Sequence, residues 1–515
     1  MSYRLVFDVG SKVAKCAIAD EQDQVLAMDS IKPAVIRSED GFIRSGDAST
    51  YWSDLVGLLK KTVDASGIDA ISIRYITCSS IRPSCIFTDE DLEPLYVGTS
   101  FDSRGIDTAP ELEDQFAAKT GRSIFEATGH FPALSLIPAR YAWFKENEPE
   151  LVARISRYLP TDSWILAKFG GEIHVNVVSA VESGFYNIQT NDWDDAWQDL
   201  LDLPTDFLPP VVMPGEIIGN VSTAAAEDLG LSTDAELVAG TADTQAALIG
   251  AGAIIDGDAG IVVGSTTPVQ VLHKEFALDK SQHLWTTKNV LKNVLESNVI
   301  EASTGITGQI IGWIANMLYS DTESFGLNPY KAIDEDYVAF DAREINMEGE
   351  PSQLLGFLGP TSTAAADDRL LPGTFMFPTP NSTEEPQLSR GELVAATFEN
   401  IQFAVKKNLD TIEAFLSKKS GRYFVLGGMT RNETFTQRFS DLVGAPVSTT
   451  ISKEATILGL LQLCAVAAGE ISSPADLAQR LSQATVTVQP RPAIHDILTT
   501  RMARWDEMWQ KLRKM

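Results

Sequence analysis

The sequence predicts an α/β protein made of two similar domains facing a central cleft, and three observations carry that prediction. Segments of helical period alternate with β-branched runs along the chain. A strand, a small-residue turn and a second strand open the sequence, and the same unit returns near residue 259. The chain has 515 residues, roughly three times an ordinary domain, so it can bury more than one core.

The elements follow in order. Residues 4–7 read as a strand, Asp8-Val9-Gly10-Ser11 as a tight turn and residues 14–19 as the antiparallel partner, with a further strand near 24–28. Over 51–64, Trp52, Leu55, Leu58 and Leu59 fall at helical spacing, and 71–77 is a β-branched strand. Residues 138–169 read as mostly helical, broken at Pro149 and Pro160, with Thr161 or Asp162 as the cap of the last segment. The second copy is a strand over 259–263, the turn Gly264-Ser265-Thr266-Thr267 and a strand over 269–272. This places one domain over 1–253 and the other over 254–515. Residues 359–389, dense in Pro, Ser, Thr and Gly, read as a long loop serving as a lid or an edge hairpin. A long core helix is predicted over 392–417, where Leu393, Thr397, Ile401, Val405, Leu409, Ile412 and Leu416 form one stripe. The segment 494–515 is an amphipathic helix expected to dock on the protein rather than on a membrane.

Charge narrows the partners. Lys plus Arg number 41 against 70 Asp plus Glu, a net charge of −29, which repels nucleic acid and anionic lipid; a small anionic substrate would need its own cluster of donors. The longest apolar stretch, near 246–264, contains Asp256 and Asp258, so no membrane span is expected. An acid at Asp8 precedes any long apolar run, which argues against a signal peptide. Cys16, Cys78, Cys85 and Cys464 form no C-x-x-C pair, as suits a reducing compartment, and a cytoplasmic location is expected. The five histidines show no metal-ligand spacing.

Four motifs could carry chemistry, each with a plain structural alternative. In Asp8-Val9-Gly10-Ser11, backbone N–H groups and the Ser11 hydroxyl could meet a phosphate and Asp8 could hold Mg²⁺, or the motif could be a self-satisfied hairpin turn. Gly264-Ser265-Thr266-Thr267 offers the same chemistry again. In Gly240-Thr241-Ala242-Asp243-Thr244, the acid lies near a helix N-terminus, where it could accept a hydroxyl proton or merely cap the helix. The run Phe424-Val425-Leu426-Gly427-Gly428-Met429-Thr430-Arg431-Asn432 puts a glycine pair after a buried strand; a flat ring could lie there, or the pair could serve only the turn.

In this order, and together with Asp102-Ser103-Arg104, Gly308 ahead of Trp313, Arg390-Gly391-Glu392, Asp441, Gly444, Glu454 and Gly459, these motifs resemble the FGGY family of carbohydrate kinases over nearly the whole chain. The resemblance implies two ribonuclease-H-like (actin-like ATPase) domains, with ATP and Mg²⁺ bound between them and a sugar or polyol as acceptor. It also implies roles. Asp243 would be the catalytic base and Asp8 would serve the Mg²⁺ site. Ser11, Gly264, Ser265, Thr266 and Gly308 would surround the phosphates, while Gly428, Met429 and Asn432 would hold the adenosine. Arg82, Asp102, Ser135 and Thr244 would line the sugar site. A homodimer is compatible with the resemblance, and a sensor of the same fold without turnover is the alternative to a kinase.

Departures from the family pattern bear on the substrate. Arg82 matches an arginine of glycerol kinases, but Pro83 stands where their glutamate would be, and Ser135 and Pro268 stand near aromatic positions. Glycerol is therefore disfavoured as the acceptor. Ile81-Arg82-Pro83 also replaces the Gln-Met-His stretch of xylulokinases, so D-xylulose is not supported. The family's Gly-Glu-Arg-x-Pro loop is missing at 358–368, and Arg140-Tyr141-Ala142-Trp143 departs from the first signature.

Overall fold

The computed structural model describes residues 2–321, 328–346, 351–364, 373–378 and 388–514. The chain forms two compact units. The first comprises Met1–Ile254, His273–Val299 and Glu454–Ser482, and the second Ile255–Leu272, Ile300–Lys453 and Gln483–Met515. Two segments from the second half of the sequence thus complete the first unit.

The first unit is built on a mixed sheet in the order Ile217–Asn220, Glu236–Val238, Ile73–Ser80, Tyr3–Val9, Ala14–Ala19 and Val25–Ile31, with Thr241–Ala242 also beside Ile73–Ser80. The opening ribbon is antiparallel, whereas Ile73–Ser80 runs parallel to Tyr3–Val9. The parallel strands end together, Asp8 opposite Ser79 and Ala242 opposite Ser80. Such carboxyl-terminal strand ends are where open α/β sheets present their ligand-binding residues. The helix Tyr51–Ser66 buries Leu55, Leu58 and Leu59 against this sheet, and Trp164 packs between Tyr51 and Trp52.

Two local expectations are corrected here. Residues 70–72 form a 3-10 turn capped by Asp69, so the strand begins only at Ile73 and runs on to Ser80. Residues 138–169 are mostly helical, as expected, but Arg157–Leu159 is a strand paired with Cys85–Thr88 that the pattern does not predict. The following helix, Thr161–Lys168, has Pro160 at its cap position, and neither Thr161 nor Asp162 caps it.

The second unit repeats the plan, as the two-copy pattern predicts. Asp258–Val262 pairs antiparallel with Thr266–His273 and parallel with Arg422–Leu426, which continues through Val447–Thr450 to Thr485–Val488. The long helix spans Arg390–Phe415 and starts with a capping box between Ser389 and Glu392. In the 359–389 segment, Thr374–Met376 pairs antiparallel with Leu355–Phe357, so the described part is a hairpin. Residues 365–372 and 379–387 lie outside the described residues. Among the described residues, no helix is long and apolar enough to cross a membrane.

The terminal helix Pro492–Leu512 docks as expected. Trp505 and Trp509 stack with Phe357, and the Trp505 indole donates to the Gly356 carbonyl at 3.0 Å. A buried ionic network fixes its start. Arg438, with a fully buried side chain, donates to Asp341 (2.8 Å), Glu344 (3.0 Å) and Glu399 (2.6 Å). Arg501 also meets Glu344 and Glu399, while Arg491 joins Asp341 to Asp441. Removing one partner strands buried charge of the other sign. Arg438→Met is therefore expected to destabilise the protein by about 3–5 kcal/mol, read from urea unfolding. Lys331→Met, which breaks an exposed pair with Glu335, is expected to change stability by less than about 0.5 kcal/mol.

Candidate active site

Asp8 ends the first strand and is buried. Ser79 on the parallel neighbour donates to its Oδ1 at 3.1 Å, and Lys15 on the antiparallel neighbour lies 3.6 Å from its Oδ2. Lys15 also donates to Glu454 at 2.6 Å. Burial pushes the Asp8 carboxyl up and Glu454 adds to the rise, against the Lys15 charge and the Ser79 hydroxyl.

Asp243 is the first residue of the helix Asp243–Gly250, whose cap position is held by Ala242 without any side-chain cap. The capping alternative therefore falls. Its Oδ1 accepts the Thr244 N–H at 2.7 Å and lies 3.0 Å from the Thr244 hydroxyl. Burial pushes the carboxyl up to about 6 and the charge of Asp8 adds to this, while Arg82 and Thr244 hold it down. A carboxylate tuned near 6 is ionised at neutral pH yet more basic than an ordinary acid, as a general base requires.

Arg82 approaches from the end of the neighbouring strand. Its Nε donates to Thr244 Oγ1 at 3.0 Å and its Nη1 to Glu182 at 2.9 Å. Glu182 lies on the helix Val177–Ser183 and is not singled out by the sequence reading. Glu182 also accepts the Thr287 hydroxyl at 2.6 Å and lies 3.2 Å from His130 Nε2. His130 reaches it through a turn that only glycine allows. Gly129 has φ 76°, and a Cβ there would come within 2.6 Å of the Thr286 carbonyl oxygen. That close approach aligns His130, Trp285 and Thr287. Burial alone would raise the Glu182 carboxyl, but Arg82, His130 and the hydrogen bonds to it hold it well below the usual carboxylate range.

Other expected residues have partners of their own within the protein. The Asp102 carboxylate is buried and accepts Arg104 Nη2 at 2.9 Å and the Tyr96 hydroxyl at 3.0 Å. The Arg104 guanidinium lies over Tyr96, Trp143 and Phe144. Asp102 thereby fixes an arginine inside an aromatic core. Ser135 donates to the Pro132 carbonyl at 2.8 Å, and the Ser11 hydroxyl lies 3.3 Å from that of Ser100.

In the second unit, the Gly308 N–H donates to the Gly264 carbonyl at 3.1 Å, and the Thr307 hydroxyl donates to the same oxygen at 3.2 Å. A buried Thr267–Thr307 hydroxyl pair at 2.8 Å ties the two loops. Ser265 is half-buried and Thr266 exposed. Gly428 is exposed and Met429 half-buried in a 3-10 turn. Asn432 caps the helix Glu433–Val443 by accepting the Phe435 N–H, and its amide donates to Asp334 at 2.6 Å. Its side chain thus has two partners within the protein.

Among the described residues, no cluster of three His, Cys, Asp or Glu side chains could hold a metal by itself. The oxygen donors of Asp8 and Asp243 nevertheless fit Mg²⁺, which keeps water and phosphate ligands beside one or two carboxylates. The Asp8 charge raises the Asp243 carboxyl, which leaves negative charge there for a cation to neutralise.

The chain matches the N-terminal domain model of the FGGY family of carbohydrate kinases over residues 3–250 and the C-terminal domain model over 261–468. It is 23% identical to an autoinducer-2 kinase of Klebsiella pneumoniae, with 99% of this chain and 94% of the relative covered. Solved structures similar to it include xylulose kinase from Lactobacillus acidophilus (TM-score 0.82, 19% identity, 100% and 99% of the two chains). A gluconate kinase from the same species gives TM-score 0.82 at 19% identity, over 99% and 98% of the two chains. At these identities the structures speak for the fold alone.

Proposed function

Because the chain belongs to the FGGY family of carbohydrate kinases, and so is an ATP-dependent phosphotransferase acting on a carbohydrate, we propose that Asp243 is its general base and that the acceptor is a hydroxyl of a sugar or polyol. The observation that carries this reading is the half-buried Asp243 carboxyl, pushed up to about 6, with Thr244 and Arg82 fixing its surroundings. Asp243 takes the proton of the acceptor hydroxyl as that oxygen bonds to the γ-phosphorus of ATP, and the bond from phosphorus to the β–γ bridging oxygen breaks to release ADP. Mg²⁺, when bound near Asp8, would neutralise phosphate charge. Lys15, placed beside Asp8 and Glu454, adds positive charge on the same side. The loops at Gly264, Ser265, Thr266 and Gly308 suit the phosphates, and the turn at Gly428 and Met429 suits adenosine.

The test is coupled ADP release with ATP and Mg²⁺ across ketoses, aldoses, pentitols, tetritols and glycerol, with autoinducer-2 included because relatives at 23% identity carry that name. Turnover of one acceptor is expected; silence across the panel would overturn the reading. For that acceptor, Arg82→Ala is expected to raise KM by about tenfold or more, as loss of a charge-assisted hydrogen bond would, with the KM for ATP changed less than about twofold. An unchanged acceptor KM would remove Arg82 from the pocket.

A further inference from the structure

Glu182 lies outside every motif used above, yet it meets Arg82, the positive group that acts on Asp243. We infer that Glu182, by neutralising Arg82, makes the acceptor site one for uncharged polyhydroxylated substrates and closes it to sugar acids such as aldonates. The inference deepens the reading of the chain as a sugar or polyol kinase and rests on it.

An arginine beside a catalytic base is the natural receptor for a substrate carboxylate, because its guanidinium can offer two parallel N–H donors. Arg82 is committed in another way. Nη1 donates to Glu182 at 2.9 Å and Nε to Thr244 at 3.0 Å, with the side chain one-tenth exposed. Its charge is therefore already answered at short range. His130 offers no second receptor. Its Nδ1 lies 2.9 Å from the Thr128 carbonyl oxygen and its Nε2 3.2 Å from Glu182 Oε2, so both ring nitrogens face acceptors of the protein itself.

Glu182 itself cannot easily lose its charge. Arg82, Thr287 and His130 all meet its two oxygens, and the side chain is 5% exposed. A carboxylate on the acceptor would therefore confront Glu182 and Asp243 together, with the Arg82 charge already answered by Glu182. Uncharged hydroxyls meet no such penalty, since carboxylate, guanidinium and threonine hydroxyl each hydrogen-bond an alcohol. The net charge of −29 adds to the discrimination. Glu182 is thus a specificity-determining residue acting through Arg82, and its replacement by glutamine should keep the shape while returning to Arg82 an unanswered charge.

The experiment compares matched neutral and acidic acceptors, xylitol with xylonate and glucitol with gluconate, in wild type and Glu182→Gln. Both kinase turnover and calorimetric binding are read. In wild type the neutral member should win by about tenfold or more in KM or Kd, the effect of like charges forced together. In Glu182→Gln that ratio should shrink or reverse by about tenfold, with KM moving more than kcat. Equal use of the acid by wild type would overturn the proposal, as would an unchanged ratio in a folded Glu182→Gln protein. If no pair is turned over but the neutral members still bind selectively, the kinase reading of these acceptors fails and the charge rule stands. If neither member binds, the charge rule falls. Should the variant not fold, the wild-type ranking decides alone.

Discussion

Asp243→Asn is expected to lower kcat by about 10²–10⁴-fold, the contribution of a positioned general base, while the variant folds and becomes more stable than wild type. Both effects have one cause. The amide cannot take the acceptor proton, but its oxygen still accepts the Thr244 N–H that the carboxylate accepts at 2.7 Å. In wild type, burial and then the Asp8 charge push the Asp243 carboxyl up from the ordinary 3.8 to about 6. The native carboxyl thus holds its proton to higher pH than the unfolded chain does. Its contribution to stability is full below the unfolded value and is lost as pH rises through about 6. At pH 7 the ionised group costs on the order of 2–3 kcal/mol, which asparagine avoids. Thermal unfolding should therefore show a gain for Asp243→Asn at pH 7 that fades toward pH 4. Wild-type kcat/KM should rise with pH through a limb near 6 that the variant lacks. A variant with kcat within tenfold of wild type would exclude Asp243 as the base.

Asp8, Gly264 and Asp243 could be read because each sits where a strand ends in a small-residue turn, a signal confined to a few neighbouring residues. The paired halves were legible for the same reason, since the opening ribbon and its echo at Asp258–Val262 and Thr266–His273 each lie within one stretch of sequence. Glu182, His130 and Thr287 could not be found that way. They come from three segments, and only the fit of Gly129 against Thr286 brings them to one carboxylate. The strand Arg157–Leu159 was hidden in a segment that is otherwise helical, and it is specified by its partner Cys85–Thr88 rather than by its own pattern. Asn432 and Asp102 show how local partners compete with any ligand role. Asn432 stands at the start of Glu433–Val443, where a helix cap competes with any ligand, and the cap is what the structure contains. Asp102 lies two residues from Arg104, and in a buried aromatic setting the local ion pair takes the carboxylate.

Gly459→Val is expected to destabilise the protein by about 3 kcal/mol or more, and what folds should lose kcat beyond the loss of folded protein. The helix Ala455–Ala467 is apolar on nearly every side, as a fully buried helix must be, and it packs against Asp243–Gly250 within the first unit. The two helices meet backbone to backbone. A Cβ on Gly459 would fall inside the Ala246 carbonyl oxygen, and one on Gly250 would sit 2.6 Å from the Gly459 nitrogen. No flexible side chain stands at this crossing to turn aside, so one helix must move. Ala246 is one turn beyond Asp243 on the same helix, and any shift that relieves the clash also displaces the base, where small misplacements carry large rate costs. Gly459→Ala should show the same pair of effects in milder form. Gly57→Ala is the control: it lies within the helix Tyr51–Ser66 with open space around it, and should stabilise by up to about 1 kcal/mol without touching kcat. If Gly459→Val melts like wild type with normal turnover, the crossing does not hold the Asp243 helix in register. The base would then owe its position to Thr244 and Arg82 alone.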